Sequence, residues 1–261
     1  MIEWNAIEKN KNPFKFFKWI KYKIKFRREN PEYFDPSGTL VFTGVQGSSK
    51  SLSATLYVEK LMKMYPSCKL VTNLQLKNYP FDNERVYRFI NNDDFKKYSN
   101  INGNKGVIFF IDEIQLYLNS LASKNINMDV IQVLSQQRKQ RIHLVATSQV
   151  FGRLAKPLRE QFSEVIVCKC FLGFISYLQV INRDSIEDND NGTTLKGKVS
   201  KKCFFLHDPK YYELYDTYYV VEQNNFIAEE EKKQGIYDTD LQVSINNYER
   251  SEKKWPQLTT K

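Results

Sequence analysis

A lysine followed by a serine closes a turn rich in glycine and serine within residues 39–51. The residues before the turn, 40–43, are apolar or β-branched and predict a strand, and those after it, 52–64, repeat apolar side chains at helical spacing. A glycine turn between a strand and a helix directs backbone N–H groups at an anion, with the helix N-terminus behind them. Lys50 would then reach the β- and γ-phosphates of a nucleotide, and the Ser51 hydroxyl would lie on Mg²⁺.

The turn departs at one position from the usual phosphate-binding loop, which has glycine immediately before the lysine. Ser49 stands there instead, and a side chain in a left-handed conformation costs on the order of 1–2 kcal/mol. The alternative is an ordinary turn before an amphipathic helix, with Lys50 solvated. The residues that we predict to bind the nucleotide are Gly44, Gly47, Ser48, Ser49, Lys50, Ser51 and Leu52.

Two adjacent acids follow a second informative stretch. Residues 107–111 are five consecutive apolar residues, which is typical of a strand buried on both faces of a parallel sheet, and Asp112 and Glu113 come directly after it. Ligands of open α/β sheets collect at the carboxyl ends of such strands. Asp112 is therefore expected to hold Mg²⁺ through its water shell, and Glu113 to orient and deprotonate the attacking water. Solvated acids before a helix are the alternative, and the combination with the glycine turn favours ATP hydrolysis.

Another buried strand is predicted at residues 142–146, before Thr147, Ser148 and Gln149. The Gln149 amide would hydrogen-bond the γ-phosphate or the lytic water, and a purely structural cap is the alternative.

These segments resemble a known family. Arg138 and residues 142–149 resemble the arginine, strand and glutamine of the FtsK/HerA superfamily of DNA-pumping P-loop ATPases. Residues 111–115, 135–141, 147–153 and 156–160 are similar to its Zot-like branch, which includes morphogenesis ATPases of filamentous phages. The resemblance spans roughly residues 38–220. It implies a ring-forming motor that couples ATP hydrolysis to DNA movement.

The resemblance also implies roles for individual residues. Lys50 and Ser51 fall on the Walker A positions, Asp112 and Glu113 on the Walker B positions, and Gln149 on the sensor position. Arg138 is the first candidate for an arginine that reaches a neighbouring subunit's γ-phosphate, although a helix arginine is more often only solvated. The competing candidates are Arg141, Arg153 and Arg159. The chain departs from the family's pattern in two ways: Ser49 replaces the loop glycine, and we expect no membrane span after the ATPase region. The second departure favours a soluble packaging-type motor over a membrane extrusion pore.

The composition bounds the class of protein. The chain has 261 residues, a formal charge of +9 and a sequence pI near 9.2, so a polyanionic partner such as DNA or an anionic membrane is expected. Its four cysteines lack zinc-finger spacing and are expected to be core thiols in a reducing cytoplasm. We expect neither a signal peptide nor a transmembrane helix.

The predicted fold class is α/β: a P-loop NTPase with a central, mostly parallel sheet and a C-terminal antiparallel β-extension. We also expect a loop at residues 73–80, a helical connection at 85–98 and a hairpin turn at 190–192 between strands at 175–181 and 196–206. The tyrosines at 211–219 are expected to pack in the core or to stack on bases. The predicted divisions are a basic-aromatic arm at 1–36, an ATPase core at 37–170, a β-extension at 171–225 and a charged tail at 226–261. The basic-aromatic pattern of the arm is clearest at residues 12–28. Its spacing is compatible with a helix or with an alternation of apolar and basic residues with a period of two. The arm would contact a membrane, nucleic acid, a portal or capsid, or a neighbouring subunit, or would cover its own core.

Two functions remain open. The first is an ATP-driven DNA translocase in phage or mobile-element morphogenesis that works as a homo-oligomeric ring with ATP and Mg²⁺. The alternative is an ATP-dependent assembly switch or scaffold at the membrane that does not pump DNA. A conjugative coupling protein is disfavoured by the small size of the chain. The expected location is the cytoplasm, or the periphery of the membrane or the virion vertex.

Overall fold

The computed structural model describes residues 14–36, 38–77, 83–118, 128–186 and 197–215. The strands are β1 Gly38–Thr43, β2 Lys69–Thr72, β3 Val86–Arg88, β4 Val107–Ile111, β5 Ile142–Ser148, β6 Glu164–Phe171, β7 Ile175–Asn182 and β8 Val199–Leu206. The α-helices are α1 Phe14–Glu29, α2 Lys50–Met64, α3 Asp93–Tyr98, α4 Met128–Ser135, α5 Gln137–Gln140 and α6 Lys156–Arg159. Short 3₁₀ turns lie at Asn83–Arg85, Gly103–Lys105, Ile114–Leu116, Phe151–Arg153, Arg183–Ser185 and Pro209–Glu213.

The eight described strands form one sheet in the order β3-β2-β4-β5-β1-β6-β7-β8. The strands from β3 to β6 are parallel, and β7 and β8 are antiparallel to their neighbours. Every residue of β1, β4 and β5 is buried, as expected for central strands covered on both faces. The predicted fold class is confirmed: a mostly parallel α/β sheet with an antiparallel β-extension at one edge.

The position of β5 determines how the site is assembled. It lies between β1, which leads into the glycine turn, and β4, which ends in the acidic pair. A strand inserted between these two is the additional-strand arrangement of the P-loop fold class. The carboxyl ends of β1, β5 and β4 therefore meet in a row at one edge of the sheet, which we call the ligand edge.

Two hydrophobic layers cover the sheet. One contains α2, Phe34 and the apolar side chains of residues 211–215, and the other contains α3, α4 and the segment around Phe151. The β-extension joins the first layer through Leu178, Val180 and Phe205. Helix α2 is held by this packing with the start of its backbone at the ligand edge.

Three expectations need correction. The connection at residues 85–98, expected to be helical, contains the edge strand β3 as well as the short α3. Helix α1 of the N-terminal arm, Phe14–Glu29, buries no side chain and so does not cover the core, whereas Phe34, later in the arm, is fully buried in one core layer. Cys203 is exposed and is not a core thiol, whereas Cys68 and Cys168 are buried.

Other expectations fall partly outside the described residues. Strands β7 and β8 pair as the hairpin signal predicts, but the turn predicted at 190–192 lies in the undescribed residues 187–196. Of the tyrosine-rich C-terminal segment, Tyr215 is buried and Tyr212 is exposed, and residues 216–261 are not described. Among the described residues, no helix is both long and apolar enough to cross a membrane.

Candidate nucleotide-binding site

The glycine turn and the acidic pair meet directly through Ser51 and Asp112, which are 61 residues apart. The Ser51 hydroxyl donates a hydrogen bond to Asp112 Oδ1 at 2.7 Å. Ser51 lies in the first turn of α2 and Asp112 follows β4 immediately, so both occupy the ligand edge. The two segments that the sequence predicts to share a site therefore form one site in the fold.

Thr147, at the end of β5, completes this junction. Its hydroxyl donates to the same Asp112 Oδ1 at 2.7 Å and accepts the Glu113 backbone N–H at 2.9 Å. Thr147 is fully buried, and it is the contact between β5 and the acidic pair. The sequence favours Gln149 as the functional residue of this segment, but Gln149 lies past the strand end and is exposed.

Asn73 fixes the backbone of Asp112 from the other side. Its amide oxygen accepts the Asp112 N–H at 2.8 Å, and its amide nitrogen donates to the Asp112 carbonyl at 2.8 Å. Asn73 follows β2, so its side chain continues the hydrogen bonding of β2 with β4 by one residue. The sequence predicts only a loop at this position. An asparagine directly after a strand parallel to β4 is the signal that could have identified it.

The surroundings of the acidic pair act on the ionisation of Asp112 and on the backbone of Glu113. Burial raises the pKa of Asp112, and the hydroxyl hydrogen bonds from Ser51 and Thr147 and the charge of Lys50 oppose that rise. Glu113 has a left-handed backbone with φ of 50° and ψ of 50°, and its carboxylate accepts a hydrogen bond from the Gln115 amide. Left-handed backbone in a residue other than glycine is uncommon and concentrates at functional sites. Gln115 is a further contact of the acidic pair, one to which the sequence assigns no role.

The candidate phosphate-binding loop requires glycine at its first position. Gly44 has φ of 152°, and a Cβ there would lie 2.6 Å from the Cys168 carbonyl oxygen, so only glycine fits. Lys50 is 6% exposed and its Nζ donates to the Val45 carbonyl of the same loop at 3.1 Å. Ser48 Oγ is buried without a hydrogen-bond partner among the described residues.

Ser49, the departure from the usual pattern, has φ of 61° and ψ of 28°. This is the left-handed region that glycine adopts without strain. Its hydroxyl donates to the Ser48 carbonyl at 2.6 Å and is hydrogen-bonded to Ser176 Oγ of β7. The predicted ligand Leu52 places its side chain in the core, so only its backbone can face a nucleotide.

The structure places three of the four candidate arginines away from this site. Arg138 lies in α5, at the amino end of β5, and is exposed. Arg159 lies in α6, before β6 begins, and its carbonyl accepts Arg183 Nε at 3.2 Å. Arg141 caps α5 and lies over the Tyr33 ring at 4.2 Å. All three are near the edge of the sheet opposite the ligand edge, whereas Arg153 follows β5 in the crossover to β6.

Comparison with known proteins gives a family and several structural likenesses. The family model described as Zonular occludens toxin (Zot) matches residues 38–216. No curated protein matches the chain. The N-terminal domain of zonular occludens toxin from Neisseria meningitidis is similar at 17% identity, 69% coverage of this chain and 99% of that one, with a TM-score of 0.49.

Two further solved structures are similar to a comparable degree. The genome packaging NTPase B204 of Sulfolobus turreted icosahedral virus 2, in complex with ATP-gammaS, has 13% identity, covers 63% of this chain and 98% of its own, and has a TM-score of 0.45. The DNA-packaging ATPase B204 of Sulfolobus turreted icosahedral virus has 13% identity, covers 64% of this chain and 100% of its own, and has a TM-score of 0.46. Because the family model matches more than half of the sequence and includes every residue of the ligand-edge site, the chain belongs to the Zot family.

Proposed function

We propose that this chain is an ATPase that uses ATP hydrolysis to move DNA during phage or mobile-element morphogenesis. The observation that carries the proposal is the hydrogen-bonded junction of Ser51, Asp112 and Thr147. It joins a phosphate-binding loop to an acidic pair across an inserted strand. A protein that only binds phosphate needs the loop but not the water-activating acid beside it.

The loop fits a polyphosphate. Among the described residues, Lys50 Nζ donates to one neutral carbonyl of the loop, and a phosphate oxygen would replace that carbonyl with a stronger, charge-assisted partner. The buried Ser48 hydroxyl, which has no partner in the described part of the chain, provides a further polar group in the same turn. Backbone N–H groups at the start of α2 complete a site for the β- and γ-phosphates.

The residues around Asp112 also fit Mg²⁺, a cation that prefers oxygen ligands. The Ser51 hydroxyl and the Asp112 carboxylate would hold it, the latter through water. Burial disfavours the ionised form of the Asp112 carboxyl group, and a nearby cation would oppose this effect by favouring the carboxylate. When bound, Mg²⁺ neutralises charge that develops on the phosphates.

The remaining site residues perform the proton chemistry. Glu113 would accept a proton from the attacking water, while the Gln115 amide and the Glu113 N–H bond to Thr147 keep its carboxylate and backbone in place. Gln149 lies at the same edge and is exposed, so it can approach the γ-phosphate once nucleotide binds.

We further propose that the ATPase acts as a homo-oligomeric ring. Arg138 and Arg159 are at the edge opposite the ligand edge, so either can act on ATP only in a neighbouring subunit. The formal charge of +9 suits a sequence-independent grip on DNA phosphates. Stimulation of ATP turnover by single-stranded or by double-stranded DNA would identify which of the two is the substrate.

Helix α1 favours a second candidate function, an ATP-dependent assembly switch at a membrane. It contains five lysines, two arginines and one glutamate. Its exposed large apolar side chains are Phe14, Phe16, Phe17, Trp19, Tyr22 and Ile24. Basic residues interleaved with exposed aromatics suit an anionic membrane surface, at the periphery of which such a switch would work.

The test measures ATP turnover by phosphate release with no DNA, with single-stranded DNA and with double-stranded DNA, alongside the mass of the ATP-bound oligomer. A motor is stimulated by DNA and is oligomeric with ATP, whereas a switch has slow turnover that DNA does not change. Lys50→Ala serves as the inactive control. Absence of Mg²⁺-dependent ATP turnover in the wild type would refute both functions.

A further inference from the structure

The β-extension reaches into the phosphate-binding loop through a chain of four side chains. Ser49 Oγ is hydrogen-bonded to Ser176 Oγ of β7, and Ser176 Oγ is 2.6 Å from His207 Nε2. His207 Nδ1 is 2.5 Å from the Tyr212 hydroxyl. Ser49 and Ser176 are 127 residues apart, so the contact joins two segments that only the sheet brings together.

The Ser49 end of this chain of side chains determines the direction of its first two hydrogen bonds. Because a hydroxyl has one proton and Ser49 gives its proton to the Ser48 carbonyl, Ser49 must accept from Ser176. Ser176 has then used its own proton and accepts from His207 Nε2–H. A neutral His207 carries its proton on Nε2, so its Nδ1 accepts the Tyr212 proton.

The surroundings hold this chain in place. Ser176 is fully buried, and burial lowers the pKa of His207, which favours the neutral ring. The His207 backbone N–H donates to the Phe174 carbonyl at 2.8 Å, which fixes the histidine beside the turn between β6 and β7. The segment then continues through Pro209–Glu213 to Leu214, whose carbonyl accepts the Lys77 N–H at 2.8 Å.

The segment from His207 to Tyr215 links the phosphate-binding loop to the chain that follows Asn73. At one end His207 reaches Ser49 through Ser176, and at the other end residues 214 and 215 pair with the chain that follows Asn73. Between these ends, Tyr211 and Tyr215 pack in the same core layer as α2. The β-extension and the residues after it therefore contact the phosphate-binding loop and the strand end next to Asp112.

We propose that Ser176 and His207 are positioning residues of the nucleotide site: they hold Ser49 in the left-handed conformation that directs Lys50 and the loop N–H groups at phosphate. A glycine at position 49 would adopt this conformation unaided, whereas a serine requires external support. The β-extension thereby supplies what the missing glycine would have supplied. The proposal rests on the proposed nucleotide site and assigns to it residues outside both sequence motifs.

The experiment is a double-mutant cycle on nucleotide affinity in the full chain. Equilibrium titration with a fluorescent ATPγS analogue and Mg²⁺ compares the wild type, Ser176→Ala, Ser49→Gly and the double variant. We expect Ser176→Ala to weaken binding about fivefold to tenfold in the wild-type background, as loss of one buried neutral hydrogen bond does. In the Ser49→Gly background the same change should alter affinity by less than about twofold.

The controls separate positioning from general stability. Ser200→Ala removes another hydroxyl of the β-extension, one that donates to the Val180 carbonyl at 3.1 Å and does not reach the loop, and it should leave affinity unchanged. His207→Ala should behave as Ser176→Ala does and add nothing to it. Thermal unfolding of each variant identifies any loss of affinity that only reflects a less stable fold.

The affinity changes in the two backgrounds distinguish a positioning role of Ser176 from a general structural one. Equal loss of affinity on Ser176→Ala in both backgrounds would assign Ser176 a general structural role and overturn the proposal, as would unchanged affinity in the wild-type background. A wild type that binds no nucleotide refutes the proposed function itself, and Lys50→Ala provides the reference for that result.

Discussion

Replacing Thr147 with valine tests the junction on which the proposed function depends. Valine has nearly the shape of threonine but no hydroxyl, so the change removes the 2.7 Å hydrogen bond to Asp112 Oδ1 and the acceptor of the Glu113 N–H. A hydrogen bond to a charged group contributes about 1.5–3 kcal/mol. At about 1.4 kcal/mol per factor of ten, we expect the turnover number to fall roughly 10-fold to 100-fold.

The assay is Mg²⁺-dependent phosphate release at saturating ATP, with affinity for a fluorescent nucleotide measured separately. Thr147→Ser keeps the hydroxyl and should retain most of the activity. Ser148→Ala is the matched control because Ser148 is equally buried, but its hydroxyl donates to the Val150 carbonyl instead of to the acids. Wild-type turnover in a folded Thr147→Val protein would show that the junction does not organise catalysis.

Three further predictions concern other parts of the molecule. Glu113→Gln should keep nucleotide binding and reduce turnover at least about 100-fold, because the amide cannot take a proton from water; full activity would exclude Glu113 as the base. Arg138→Ala should inhibit wild-type protein in mixed oligomers if, as proposed, the arginine acts on a neighbour's site, and a simple linear dilution of activity on mixing would argue against that role. Burial lowers the pKa of His143 from 6.5 to about 4, so only the unfolded chain gains this proton as the pH falls through that range. The wild type should lose about 2 kcal/mol of unfolding free energy between pH 7 and 5 through this histidine, a loss that His143→Gln should lack in urea unfolding at the two pH values.

The central part of the site could be predicted from sequence because its signals are local. The glycine turn before Lys50 and the apolar run before Asp112 each carry their meaning within a short stretch of chain. Burial on both faces makes β4 uniformly apolar and β5 largely so, and such runs are readable without knowing their neighbours. The order of the motifs then sufficed to predict the fold class.

The supporting residues could not be predicted because their roles depend on strand register. Thr147 reaches Asp112 only because β5 pairs with β4 in the observed register, and Asn73 reaches it only because β2 flanks β4 on the other side. The three-residue edge strand β3 is too short to show a period, so the sequence favours a helix across it. Ser176 contacts Ser49 across 127 residues, and no local pattern indicates such a pair.

The placement of β5 has a mechanical consequence. Its seven buried residues in extended conformation form a stiff element about 23 Å long, with Thr147 near one end and the arginine-bearing turn of α5 at the other. Because this strand is hydrogen-bonded along both sides, it cannot bend locally, and a push on its amino end must displace its carboxyl end. In the proposed ring, a subunit that presses on the amino end of its neighbour's β5 would therefore shift the neighbour's Thr147 and Glu113 without any hinge between the two points.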